Sequence, residues 1–372
     1  MPLSLAERLK ELIRREAPVT FHDWMRAALY DPAGGYYQRT DLARWGREGD
    51  YRTSAERSEL FAATFARYFA RLYDELQRPE VWTIVECGAG DGRFAAGVLR
   101  TLSDRFAEVF AATRYLVYEL SDDALRRARE RLIGFGSRVE FYSDLDLVTA
   151  RRGVYFSNEL LDAFPVHRVV KNRDGLAELY VSLDAESRFV WSAGPLSTER
   201  LSDFCRDHSL ELAEGQIIEI NLAIDDWLAE VAGKLDEGFL ITVDYGEEAN
   251  DLYDPVRRPH GSLRGFQRHG FVDDVLAQPG DCDLTTTINW TQVKTSGERL
   301  GFKVVEFANQ DKFLLNAGLL EELEFKLNQA DTESEKLTLS TSAREMILPG
   351  GMASSFQVLV HKKHRDEQKF TS

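Results

Sequence analysis

The feature that most restricts the fold of this chain is a glycine-rich turn between an apolar strand and a helix. The segment VWTIVEC at 81–87 has the pattern of a short buried strand, GAGDG at 88–92 follows it directly, and a helical pattern runs through 94–102. From residue 80 onward, strand segments alternate with helical segments, which is typical of a parallel sheet covered by helices. We therefore expect an α/β protein with a Rossmann-like core.

Seven segments have the apolar character of core strands, and two longer stretches interrupt them. The strand segments are 81–87, 115–120, 139–142, 154–157, 239–243, 303–307 and 356–360. Residues 165–195 alternate like β-hairpins, with a turn at 172–175, whereas 246–288 is rich in Pro, Gly, His and Arg and is typical of a loop insertion. Residues 1–78 are mainly helical around a turn-rich middle. We expect a helical cap with a lid loop at 1–78 and a seven-stranded core at 79–372, with insertions after strands four and five.

Charge, hydropathy and cysteine content exclude several classes of function. The chain has 46 basic and 62 acidic residues, a formal charge of −16, which opposes nucleic acid as a partner. No apolar run approaches the roughly 20 residues of a membrane-spanning helix, so we expect no membrane insertion. The N-terminus lacks the pattern of an export signal, and we predict a cytoplasmic location. Three distant cysteines without CxxC spacing indicate neither a disulfide framework nor a metal site.

The spacing of the glycines favours one kind of cofactor. A dinucleotide fingerprint GxGxxG would have its third glycine at position 93, which is arginine, whereas this turn has Gly88, Gly90 and Gly92. Glu86 lies two residues before the first glycine, where a carboxylate suits a ligand with cationic groups better than a pyrophosphate. S-adenosylmethionine (SAM) carries a sulfonium and an ammonium group, so the pattern favours SAM. The alternatives are a nicotinamide or flavin dinucleotide and a purely structural turn.

Two further acids follow the next strands. Glu119 ends the second strand, where an acid can accept hydrogen bonds from ribose hydroxyls, in a SAM site or in a nicotinamide site. Asp144 follows the third strand, at the level where such folds meet adenine. A turn or helix cap is an equally good interpretation of Asp144.

The loop after the fourth strand is the candidate methyl-transfer site. Ligands bind beyond the carboxyl ends of parallel strands, and SNELLDAFP at 157–165 follows such a strand. If this segment opens a helical turn, Glu159 and Asp162 share one face. Two carboxylates can grip a planar guanidinium and leave one nitrogen facing the methyl group. The alternative is that Asp162 caps a helix and Glu159 is an acid on the surface.

Several motifs together resemble the MidA family of complex I assembly-factor methyltransferases, over about residues 20–320. They are LYDPAGGYY (29–37), GDYRTSAERSELF (49–61), VECGAGDGR (85–93), YELS (118–121), SNELLDAFPVHRV (157–169), VDYG (243–246), HGSLRGFQRH (260–269) and DLTTTINWTQV (283–293). The resemblance implies a seven-stranded class I SAM-dependent core with an N-terminal cap. It also implies methylation of a protein arginine, with a respiratory complex I subunit as the client.

The resemblance further assigns residues to the site. It implies that Glu86, Gly88, Gly90 and Glu119 hold SAM, that Asp50, Thr53 and Ser54 close over it, and that Asn158, Glu159 and Asp162 line the methyl-transfer site. Asn289 and Trp290 depart from the acidic residue and Phe usual in the family, which leaves the substrate open. A methyltransferase for another acceptor and a SAM-binding assembly chaperone without catalysis are the alternatives, and the oligomeric state is undetermined.

Two other features also have two interpretations. His167, in PVHRVV, is either a proton acceptor or a structural histidine. The basic stretch at 257–269 either guides an acidic partner or is paired internally with nearby acids.

Overall fold

The structure is a computed structural model that describes residues 3–40, 59–267, 270–348 and 355–365. Contacts divide the chain into two compact units. The core unit is Arg52–Leu160, Leu228–Tyr245 and Lys294–Ser372, and the insertion unit is Met1–Tyr51, Leu161–Trp227 and Gly246–Val293. This division differs from the predicted boundary at residue 78, because each unit combines segments that are distant in the chain.

The described helices and strands follow the predicted alternation. The helices are α1 Leu5–Glu16, α2 Phe21–Tyr30, α3 Glu59–Glu75, α4 Arg93–Arg105, α5 Ala107–Ala112, α6 Asp122–Leu132, α7 Glu199–Asp207, α8 Leu222–Lys234, α9 Ala249–Leu252, α10 Trp290–Arg299, α11 Gln310–Ala317, α12 Leu319–Gln329 and α13 Glu333–Ile347. The strands are β1 Val19–Thr20, β2 Trp82–Cys87, β3 Thr113–Tyr118, β4 Val139–Tyr142, β5 Arg152–Asn158, β6 His167–Asn172, β7 Gly175–Leu183, β8 Phe189–Gly194, β9 Ile217–Ile220, β10 Glu237–Glu247, β11 Arg264–Gln267, β12 Gly270–Phe271, β13 Asp283–Thr285, β14 Ile288–Asn289, β15 Phe302–Asn309 and β16 Phe356–Lys363. None of the helices described is both long and apolar enough to cross a bilayer.

The core unit is built on a mixed sheet, which confirms the predicted α/β class. The seven predicted core segments form one path in the order β15-β16-β10-β5-β2-β3-β4. Strands β4, β3, β2, β5 and β10 are parallel, and β16 is antiparallel to both of its neighbours. The strand order changes direction between β2 and β5, which creates the switch point where such sheets bind ligands.

A cluster of aromatic side chains packs α3 and α4 against this sheet. The apolar side of α3 is buried, including Phe61, Phe65 and Phe69. Phe94 of α4 stacks on Phe156 of β5 with ring centroids 4.4 Å apart. Burial of such side chains contributes about 1.5–3 kcal/mol each. This cluster therefore fixes α4, the first helix after the glycine turn, on β5.

The insertion unit contains two small antiparallel sheets. The predicted hairpin is present, because Asn172 of β6 pairs with Gly175 of β7 around a two-residue turn. The larger sheet has the order β1-β7-β6-β9, with β8 paired to β7, and the smaller has the order β12-β11-β13. The stretch 246–288, predicted as a loop, therefore contains strands. These strands have four residues at most, too few to give a clear alternation.

Candidate active site

The glycine turn leaves β2 at its carboxyl end and enters α4. The amides of Gly88 and Ala89 donate to the carbonyl of Tyr118, at 2.9 and 3.2 Å, and thereby fasten the turn to the end of β3. Gly88, Gly90 and Gly92 all have positive φ, at 72°, 55° and 77°. This backbone conformation favours glycine, so the three positions are set by the path of the turn.

Neighbouring side chains lie close to two of these glycines, so an added side chain would force them to shift. A Cβ at Gly88 would lie 2.9 Å from Cδ1 of Leu160, and one at Gly92 would lie 3.0 Å from Cβ of Ala128. At Gly92 the lack of space has a packing cause, the approach of α6. The turn thus places bare backbone at the start of a helix, which allows a cofactor to approach closely.

Glu119 is held by two backbone amides at the end of β3. Gly90 donates to its Oε2 and Ser121 to its Oε1, both at 2.8 Å. Glu119 therefore ties the glycine turn to the start of α6. Ser121 caps α6 by accepting a hydrogen bond from the amide of Ala124.

Glu86 is the buried acid of this site. Its side chain is 5% exposed, and the hydroxyl of Tyr115 donates to its Oε2 at 2.8 Å. Burial raises the pKa of Glu86 to about 8, and the nearby carboxylates of Glu119 and Asp91 act in the same direction, against the hydrogen bond from Tyr115. A cationic ligand beside this carboxyl would favour its ionised form.

Sequence reasoning missed the role of Asp91. This carboxylate is 7% exposed and accepts from Arg131 Nη2 at 2.7 Å and from Arg93 Nε at 2.9 Å. Arg131 Nε also donates to the backbone carbonyl of Asp91 at 2.9 Å. The middle of the glycine turn is thus fixed to α6 by a side chain 40 residues away, for which the sequence contains no local signal.

At the end of β5, Asn158 and Glu159 have an unusual local geometry. Glu159 has a φ of 52°, which is rare for a residue with a side chain, and its amide donates to the carbonyl of Val243 at 2.9 Å. Asn158 Nδ2 donates to Glu159 Oε1 at 3.2 Å. Asn158 Oδ1 is buried and accepts no hydrogen bond from any described residue. Strained backbone and orphaned buried polar atoms of this kind concentrate at functional sites.

The helical turn expected from Asn158 to Asp162 does not form. The positive φ of Glu159 is outside the right-handed helical region, and a 3-10 turn begins only at Leu161, spanning Leu161–Ala163. Glu159 and Asp162 therefore do not share a helical face. Asp162 is 5% exposed and belongs to the insertion unit, where its carbonyl accepts from the amide of Thr286 at 3.0 Å.

The other predicted cofactor residues fall outside this arrangement. Asp144 is exposed, and its side chain accepts from the amide of Asp146 at 2.9 Å at the start of a 3-10 turn, which is the capping alternative. A role toward adenine stays a prediction. Asp50, Thr53 and Ser54 lie outside the described residues.

His167 and the basic stretch have internal partners. His167 Nδ1 lies 2.7 Å from Glu178 Oε1, and its ring stacks on that of His22. Arg258 donates twice to Glu247, at 2.8 and 3.0 Å, and Arg257 contacts Asp251. These contacts favour the structural interpretation of both features.

The chain is similar to curated proteins over most of its length. It is 27% identical over 380 residues to "Protein arginine methyltransferase NDUFAF7, mitochondrial" of Mus musculus, an alignment covering 95% of this chain and 83% of the relative. The protein of the same name from Homo sapiens is 24% identical over 382 residues, with coverage of 95% and 82%. These relatives contradict the predicted cytoplasmic location, because their names identify them as mitochondrial proteins. The location prediction is therefore wrong.

A solved structure and a family model agree with the fold. A protein from Burkholderia thailandensis, crystallised with S-adenosyl-homocysteine, has a TM-score of 0.85 and 28% identity, and the match covers 97% of this chain and 92% of that one. Residues 64–308 match the model of a family described as "Putative S-adenosyl-L-methionine-dependent methyltransferase". This match includes the glycine turn, Glu119 and the end of β5. The chain therefore belongs to this family of SAM-dependent methyltransferases, and its cofactor is SAM.

Proposed function

We propose that this SAM-dependent methyltransferase modifies arginine side chains of a protein. The observation that carries the proposal is the similarity along 95% of the chain to relatives named as protein arginine methyltransferases. The acids at the end of β5 and in the following turn support it, because carboxylates complement a guanidinium. We further propose a respiratory complex I subunit as the client, on the strength of the family resemblance.

For the cofactor, the proposal assigns Glu86, the glycine turn and Glu119 to SAM. When bound, SAM supplies a methyl group on a positively charged sulfur. The bare backbone at Gly88 and Gly90 allows close approach, and the N–H groups at the start of α4 suit a carboxylate. Glu86 would face the cationic part of the ligand, and Glu119 its ribose. Asp144, Asp50, Thr53 and Ser54 complete the proposed set, on the sequence evidence alone.

For the acceptor, the proposal gives Glu159 the central role. A guanidinium has five N–H donors and no acceptor, and it is protonated in proteins, so it must be held by acceptors and lose a proton as the nitrogen is methylated. The Glu159 carboxylate can accept that proton, and Asn158 Nδ2, 3.2 Å from Glu159 Oε1, orients it. Asp162 completes the proposed set, on the sequence evidence alone.

Transfer of labelled methyl groups tests the proposal. Purified enzyme is incubated with SAM labelled in the methyl group and with extract protein from cells that lack the gene, and the protein is then hydrolysed to amino acids. We expect label in methylarginine, lost with Glu159→Gln and retained with Glu80→Gln, which changes an exposed acid of the same unit.

Three other results of this labelling experiment would each contradict part of the proposal. Label in small molecules or in another amino acid would refute arginine as the acceptor. SAM binding without any transfer would favour the assembly chaperone. Equal transfer by both variants would remove Glu159 from the reaction.

A further inference from the structure

A buried polar cluster in the insertion unit contains an acceptor atom that the fold does not use. We define this amide cluster as Leu161, Asp162, Asn221, Thr286 and Gln292, all 8% exposed or less. The members come from separate parts of the chain and are joined by hydrogen bonds. A hydrogen-bond network that joins distant parts of the chain in this way either stabilises the fold or binds a ligand.

Asn221 is at the centre of the cluster, between β9 and α8. Its Nδ2 donates to the carbonyl of Leu161 at 3.1 Å, and its own backbone carbonyl accepts from Gln292 Nε2 at 2.8 Å. The amide of Thr286 in turn donates to the carbonyl of Asp162 at 3.0 Å. Both the side chain and the main chain of Asn221 are therefore fixed beside the turn that carries Asp162.

The oxygen of the same amide group, Asn221 Oδ1, has no hydrogen-bond partner among the described residues. This oxygen is buried. Most buried polar side-chain atoms have a partner, and an exception requires an explanation. Because Nδ2 is held at the carbonyl of Leu161, the orientation of the whole amide group is fixed, and Oδ1 is fixed with it beside the turn that continues into Asp162.

We propose that Asn221 is a substrate-positioning residue, whose Oδ1 accepts an N–H of the target guanidinium beside Asp162. This inference rests on the proposed arginine substrate. A carboxylate can bind two of the five N–H groups of a guanidinium, and the remaining ones also need acceptors in a buried site. A neutral amide oxygen supplies one without adding a second buried charge.

Two variants separate this role from a structural one. Asn221→Leu and Asn221→Asp both remove the amide donor to Leu161, and the melting temperature measures the structural loss that each of them causes. Only Asn221→Asp keeps an acceptor oxygen. The probe is Nα-acetyl-L-arginine amide, titrated calorimetrically into enzyme saturated with S-adenosylhomocysteine, with the melting temperature and the affinity for S-adenosylhomocysteine measured in parallel.

We expect Asn221→Leu to weaken binding of the probe at least tenfold and Asn221→Asp to bind it within threefold of the wild type. Both variants should have the same affinity for S-adenosylhomocysteine. Equal weakening by both variants, or by neither, would overturn the inference, as would failure of the wild type to bind the probe. In that last case methylarginine in extract protein would still uphold the proposed function, whereas label in another residue would refute it separately.

Discussion

Raising the pH from 7 to 9 is expected to strengthen the binding of S-adenosylhomocysteine relative to a Glu86→Gln variant, by about tenfold. Burial raises the pKa of Glu86 to about 8 in the free protein. The ionised fraction then increases from about 9% at pH 7 to about 91% at pH 9. If only the ionised form engages the cationic ligand, the apparent Kd changes by the ratio of these fractions.

The glutamine variant is a matched control for this titration. Its amide oxygen can still accept from Tyr115, which contacts Glu86 at 2.8 Å, but it has no charge to gain. The ligand's own amino group also titrates in the alkaline range, and because both proteins bind the same ligand, the ratio of the two dissociation constants removes that contribution. Isothermal titration at pH 7, 8 and 9, in two buffers of different ionisation enthalpy, gives this ratio and the number of protons released.

Stability of the free protein should have the opposite pH dependence. The folded-state pKa of Glu86 is raised above its usual value of 4.5. The stability that the neutral carboxyl contributes is therefore complete below pH 4.5 and is lost as pH rises through about 8. Relative to Glu86→Gln, the wild type should lose about 1.4 kcal/mol of unfolding free energy per pH unit within that window. A constant ratio of dissociation constants, together with a constant stability difference, would refute the protonation argument.

Three further substitutions test other parts of the site. Gly88→Val should abolish binding of S-adenosylhomocysteine and destabilise the fold by about 1–3 kcal/mol, because φ is 72° and Leu160 lies 2.9 Å from the new Cβ. Calorimetry measures the binding and urea unfolding measures the stability. Unchanged binding would contradict the proposed role of the glycine turn. Glu159→Gly should abolish methyl transfer yet stabilise the protein by about 1 kcal/mol relative to Glu159→Ala, because only glycine relieves the φ of 52°; equal melting temperatures would argue against strain. Arg131→Met should destabilise the protein by about 1–3 kcal/mol, because buried Asp91 then keeps only Arg93 as an ionic partner among the described residues; a loss below about 0.5 kcal/mol in urea would refute its role in holding the turn.

The core of the fold could be predicted from the sequence because its signals are local. The turn after β2 contains its glycines within five residues, and all seven predicted strand segments are strands of the core sheet. Ser121 caps its helix through a neighbour three residues away, which a sequence pattern contains. The short strands at 264–285 could not be predicted in this way, because they depend on pairing with one another and are too brief to alternate clearly.

The details of the site depend on contacts that a linear pattern does not contain. Asp91 is held by an arginine 40 residues later, and Glu119 is held by two backbone amides, so neither arrangement has a sequence motif of its own. The positive φ of Glu159 replaces the helical turn expected there, although glutamate has no preference for that conformation. The sequence therefore identifies the acids that follow a strand, but it does not predict how their side chains are oriented.

The structure of the protein in complex with S-adenosylhomocysteine is the most direct test of the proposed cofactor site. We predict that the ribose hydroxyls lie within hydrogen-bond distance of Glu119, about 3 Å, and that the amino-acid part of the ligand lies against the backbone at Gly88–Gly90 on the side of Glu86. Ligand density at another place on the core sheet, or a ribose that makes no contact with Glu119, would contradict the assignment.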